Sequence, residues 1–253
     1  MTRIISSCLF TASLSAIAVE YNLDKPLEFK LGWSFLRTDD IYLQHQCNAA
    51  TAARHRRHVL DYTATMRGKL GLASGTETLQ MRLHADARMY RNRMKFSRER
   101  EAHYNSARNI LTSHCGASNA AIEQQLILYL LRDEPLRTWQ RIFVAEVLPG
   151  NGKSNYFGDS ARKEPAALAE VMLSNHTPGK ADRALLARLA AFLQKSGKLQ
   201  EFALALARDR SFDDTGMEIL ELTTGMPISA LQAKLADKPV ANGHNNTLRK
   251  LKR

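Results

Sequence analysis

TETLQMRLHADARMYRNRMKFSREREAHYNSARNILTSH, running from Thr76 to His114, is the stretch whose reading decides the fold. Stepping along it at 100° per residue lines up Leu79, Leu83, Ala87, Tyr90 and Met94 in one apolar stripe. A second, weaker stripe of Met81, Ala85, Met89 and Phe96 lies across the helix. Basic residues fill both intervals: Arg82, Arg93 and Arg100 on one side, Arg88, Arg91, Lys95 and Arg98 on the other. The spacing predicts one long helix from Thr76 to about His114, packed on two faces and cationic along the remaining edges.

The neighbouring segments read the same way. Upstream, AARHRRHVLDY (Ala52 to Tyr62) belongs to a pattern that puts His55, Val59, Tyr62, Met66 and Leu70 on one stripe. Arg54, Arg57, His58 and Asp61 face away, with Arg57 and Asp61 spaced four apart as a surface pair would be. GLASG, Gly71 to Gly75, ends that helix and makes the turn of a helical hairpin. Downstream, after CGASNAA, Ile122, Leu126, Tyr129 and Leu130 form the spine of an apolar helix that stops before Pro135. Leu136, Trp139, Phe143 and Val147 mark the next one.

These patterns define an all-α protein. Short extended pieces are allowed only in residues 19–46, around LEFKLGWSFL. The expected organisation is a signal-like segment at 1–18, a basic helical bundle at 19–148 and a polar linker at 149–165. An array of short helices at 166–240 and a basic tail at 241–253 complete it. The array comprises AALAEVMLSN, ADRALLARLAAFLQKSG, KLQEFALALARD and ISALQAKLAD, with no fixed repeat period.

Composition sets the function classes. A chain of 253 residues with 44% hydrophobic content buries a sizeable core without staples, and 7% aromatics suits helices better than a sandwich or barrel. Of the net +11, residues 50–112 carry +8, from thirteen Lys or Arg against five acids. A field concentrated in one quarter of the chain attracts nucleic acid, anionic lipid or an acidic protein, although the same excess also serves solubility.

The N-terminus reads MTRIISSCLFTASLSAIAVEYN, with Ala16-Ile17-Ala18 in the small-x-small pattern of a cleaved export signal. Five Ser and Thr dilute its apolar run, so an ordinary buried first element competes with export, and the run is too short and polar to span a bilayer. Export would remove Cys8 and leave Cys47 and Cys115 as a candidate disulfide. Such a bond needs Cα atoms within about 7 Å. Along an unbroken hairpin Cys115 lies roughly 22 Å beyond the residue facing Cys47, so the bond requires the second helix to bend or break.

The short motifs carry little chemistry. GNGKS, Gly150 to Ser154, matches the end of a phosphate loop but follows a helical pattern and has Val147 where the first glycine belongs. His55 and His58 sit at a metal-sharing spacing, yet three arginines surround them and no third ligand is evident. Asp213, Asp214, Glu218 and Glu221 read as helix-start acids, and His114 beside Cys115 points about 100° away on a helix. No metal or cofactor is therefore expected. The leading expectation is a non-enzymatic, cytoplasmic binding protein that docks a polyanion, nucleic acid first, through Arg54, Arg56, Arg57, Arg82, Arg88, Arg91, Arg93, Lys95, Arg98 and Arg100. Tyr62, Tyr90, Tyr104 and Phe96, interleaved among them, are of a type that stacks on bases, although Tyr62 and Tyr90 also fit the core stripes. An exported or host-directed protein–protein interaction factor is the first alternative, and an enzyme whose site is assembled from distant helices is the second.

Overall fold

The computed structural model describes residues 27–29, 32–38, 40–73, 78–95, 100–149, 167–209 and 215–236. In chain order the elements are β1 (Leu27–Phe29), β2 (Trp33–Arg37), β3 (Ile41–His45), α1 (Ala49–Leu70), β4 (Leu79–His84), α2 (Ala87–Met94), β5 (Ala102–Asn105) and β6 (Ile110–His114). They continue with α3 (Asn119–Leu130), α4 (Thr138–Val147), α5 (Leu168–Leu173), α6 (Lys180–Lys195), α7 (Leu199–Arg208), α8 (Met217–Thr224) and α9 (Ile228–Ala236). The signal-like segment, GNGKS, Arg98, Asp213, Asp214 and the basic tail lie outside the described residues.

The all-α expectation is overturned, and the error sits in Thr76 to His114. Its described residues hold three strands, one short α-helix and a 3-10 turn at Ser106–Arg108, and the architecture is α/β. Leu79, Met81 and Leu83 are buried and alternate with Gln80, Arg82 and His84. Leu79 and Leu83 stand four apart, a spacing that a period of 2 and a period of 3.6 both satisfy. Met81, assigned to a second helical stripe, lies on the same strand face. Asp86 then ends the strand and caps α2, its Oδ1 accepting the Met89 amide at 2.7 Å. Lys95, at φ 55°, closes α2 in the left-handed region.

The sheet has strand order β1-β2-β3-β4-β6-β5. β3, β4 and β6 run parallel at its centre, and the outer pairings are antiparallel. Parallel neighbours need a crossover, and α1 supplies it between β3 and β4. One face, formed by Leu36, Ile41, Leu43, Leu79, Met81, Leu83 and Leu111, is buried in the main core with residues of α1 and α3. α2 packs on the opposite face, where Tyr90 is fully buried with its ring 6.3 Å from that of His84 and 5.8 Å from that of His114.

α1 follows the sequence pattern closely. Asn48 caps it, accepting the Thr51 amide at 2.8 Å, and Gly71, at φ 65°, ends it while the Leu72 amide donates to Arg67 O at 3.0 Å. His55, Val59, Met66 and Leu70 are buried, and Tyr62 packs half-buried against the same core. That core continues into the C-terminal helices. Phe143 of α4 meets Phe202 of α7 edge-on at 5.5 Å, the Trp139 indole donates to Met172 O at 3.1 Å, and Arg208 Nε donates to Lys69 O of α1 at 2.7 Å. Among the described residues, no helix is long and apolar enough to cross a membrane.

Candidate nucleic-acid interface

Of the ten basic residues singled out from sequence, the structure describes nine, all but Arg98, and divides them between the two sides of the sheet. Arg54 and Arg57 are exposed and Arg56 half-buried on α1, which lies on the helical side of the sheet. Arg88, Arg93 and Lys95 are exposed and Arg91 half-buried on α2, on the opposite side. Arg82 belongs to β4 and faces the α2 side, as its alternation with Met81 and Leu83 requires. Arg100 is exposed just before β5, near enough for its charge to act on both Tyr90 and His103. The α1 group and the α2 group thus do not share one surface, because the sheet stands between them.

Among the described residues, the charge around α2 is not matched by ion pairs. Among the described residues, no carboxylate forms an ion pair with Arg82, Arg88, Arg91, Arg93 or Lys95. Asp86 is committed to the start of α2, and the Met89 amide holds its carboxyl below the usual carboxylate range, with help from Arg88. Arg82 is positioned twice over: Nε donates to Gln44 Oε1 at 2.9 Å, and its guanidinium carbon lies 5.9 Å from the centre of the Trp33 ring.

At the carboxyl ends of the parallel strands stands a group the helical reading missed. His45, His84 and His114 are the last residues of β3, β4 and β6, and all three are buried. His55 joins them from α1, its Nε2–H donating to Cys115 O at 3.0 Å, and the His45 Nδ1–H donates to Cys47 O at 3.2 Å. Burial holds all four imidazoles below their usual pKa, and the charges of Arg82 and Arg93 add to this at His84. At His114 the burial effect is opposed by Glu101 and reinforced by Arg91. They are neutral, apolar-packed groups at neutral pH. Among the described residues, no group of three or more His, Cys, Asp or Glu is placed to hold a metal ion. The sequence signal for this group was the recurrence of a terminal histidine in IYLQH, LQMRLH and ILTSH, each alternating at period 2.

Cys47 and Cys115 are joined by a disulfide, with Cα atoms 5.5 Å apart. The separation of about 22 Å expected for a hairpin disappears with the long helix. Each cysteine instead follows the end of a parallel strand, so both reach the same edge of the sheet. The bond also removes the thiol that a His114–Cys115 nucleophile would need. Of the other sequence pairs, His58 lies 3.0 Å from Glu123 of α3, which separates it in role from His55, and Arg57 and Asp61 make no ion pair. At the opposite end of the strands, Ser106, Ala107, Arg108, Asn109, Arg132 and Asp133 line an open groove of about 530 Å³. Arg132 there is occupied by Asp133 at 3.1 Å and by the face of Tyr129 at 4.4 Å.

No protein-family model matches the chain, and no curated protein matches it either.

Proposed function

We propose that the protein is a binding protein that docks a polyanion, nucleic acid first, through α2 and the sheet face beside it. The observation that carries this reading is the set of five cations, Arg82, Arg88, Arg91, Arg93 and Lys95, without a carboxylate partner among the described residues. A cation left in solvent gains little within its own fold, whereas one that neutralises a phosphate releases condensed counterions. Arg54 and Arg57, across the sheet, fall outside this docking surface.

The test is binding to generic DNA and RNA across a salt series. The expected result is a linear fall of log K with log salt, by about 0.7–0.9 in slope for each phosphate neutralised. Converting Arg88, Arg91 and Arg93 together to Glu removes binding and leaves the helical content unchanged. No retention at low salt, or affinity flat across the series, overturns the reading.

The alternative of an exported protein has its own support. A disulfide between Cys47 and Cys115 persists in an oxidising compartment and is uncommon in a reducing cytosol. This favours export over the cytoplasmic residence expected from the diluted apolar run at the N-terminus, and it is compatible with polyanion docking. Mass spectrometry of the mature protein from its native host decides it: cleavage after Ala18 with two cysteines oxidised supports export, and an intact Met1 or Thr2 with free thiols refutes it.

A further inference from the structure

We infer that the face of the sheet beside α2 is a stacking platform for single-stranded nucleic acid, a reading that rests on the docking proposed above and names its ligand class. Strand alternation sends Trp33, Phe35 and Arg37 of β2 to the face that carries α2, together with Tyr42 and Gln44 of β3 and Arg82 of β4. The three aromatic side chains are half-buried, and Arg37 is exposed. Across the outward positions of β2, β3, β4 and β6 there is no carboxylate. A partly solvated sheet face ordinarily alternates to simple polar residues. This one sets aromatic rings among cations instead.

The rings are arranged as a continuous path. Phe35 and Tyr42 lie 5.8 Å apart with their planes tilted by only 31°. Trp33 carries the Arg82 guanidinium on one side and meets His84 at 5.4 Å, and His84 in turn meets Tyr90 of α2 at 6.3 Å. The half-buried part of this row is Trp33, Phe35 and Tyr42, and the buried rings of His84 and Tyr90 join it from beneath to the helix that bears Arg88, Arg91 and Arg93. Phosphates held by those arginines place the attached bases over the rings and over the guanidinium stacked on Trp33. In a duplex the base faces are covered by their neighbours, so the aromatic row has nothing to stack on. Unpaired strands alone use both halves of the surface.

The experiment uses the full-length protein with a labelled oligothymidylate of about 15 nucleotides, a duplex of equal length and heparin, followed by anisotropy over a salt series. Tryptophan emission is read in parallel. Trp139 is fully buried, so quenching by the oligonucleotide reports Trp33. The expected result is tighter binding of the single strand than of the duplex, with emission quenched. Trp33→Leu, and independently Phe35→Leu, lower single-strand affinity about tenfold without altering the salt slope, at an unchanged melting temperature. Equal affinity for the two DNA forms, with no quenching, overturns the platform and leaves polyanion docking standing. Binding to heparin with both nucleic acids silent overturns it in favour of an acidic polysaccharide, and no binding to any of the three overturns both readings.

Discussion

Two glycines at helix ends show how a single residue's neighbourhood sets its importance. Gly71 and Gly216 both hold positive φ, 65° and 72°, a conformation that costs other residues about 1–2 kcal/mol. A Cβ at Gly71 would meet nothing within 4 Å. At Gly216 it would stand 2.7 Å from Leu206 Cδ2, 3.0 Å from Gln140 Nε2 and 3.4 Å from Trp139, inside the core where α4 and α7 meet. Gly71→Ala is therefore expected to lose only the backbone cost of about 1 kcal/mol. Gly216→Ala adds overpacking and should lose about 2–4 kcal/mol in total. Urea midpoints of the two variants check this, and equal losses would show that Leu206 yields freely.

Between elements, the tie that matters most joins the ends of β3 and β6. The Cys47–Cys115 bond closes a loop of 68 residues that contains α1, β4, α2, β5 and β6. In the chain-entropy view a loop of that size is worth roughly 4 kcal/mol, through the freedom it removes from the unfolded chain. Reduction, or the paired change Cys47→Ala with Cys115→Ala, should lower stability by about that amount. Denaturant curves with and without a phosphine reductant check it, and curves that coincide would mean that the unfolded ensemble is already confined. The same elements explain what sequence could and could not reveal. α1 was legible from cap to cap because its stripe recurs over about four turns, from His55 to Leu70, far beyond what another period can imitate. The α3 and α4 spines, Ile122 with Leu126 and Trp139 with Phe143, were legible because an apolar run with a Pro stop has few other solutions. The strands β4, β5 and β6 were not, because four to six residues are too few to separate a period of 2 from one of 3.6. Leu79 and Leu83 satisfied both. Once they were placed on a helix, Arg82, Trp33 and the three terminal histidines lost the sheet that brings them together, and the basic residues read as the two edges of one long helix.

For the molecule as a whole, the sheet divides the labour: apolar packing of the long helices on one face, cations and aromatics on the other, and buried histidines along the shared carboxyl edge. That edge makes the fold sensitive to acid. Burial holds His45, His55, His84, His103 and His114 below their usual pKa. In the unfolded chain each titrates near 6.5. Above that value both states are neutral and the fold keeps its full stability. As pH falls through about 6.5, the unfolded chain takes up protons that the folded chain refuses, and the balance tips towards unfolding. Each histidine contributes at most about 1.4 kcal/mol per pH unit while it stands in that window. Glu101 behaves differently. Burial pushes its carboxyl up, but hydrogen bonds from the Ser118 hydroxyl at 2.6 Å and the Ser118 amide at 3.0 Å outweigh this and hold it low. Its contribution, like that of Asp86, is therefore lost only below the carboxylate range, near pH 4. A two-stage loss follows: the melting temperature should fall between pH 7 and about 5.5 with proton uptake on unfolding, then again below about 4.5. Calorimetry in buffers of different ionisation enthalpy measures that uptake directly, and a melting temperature that stays level from pH 7.5 to 5.5 would mean that the buried imidazoles accept protons without cost.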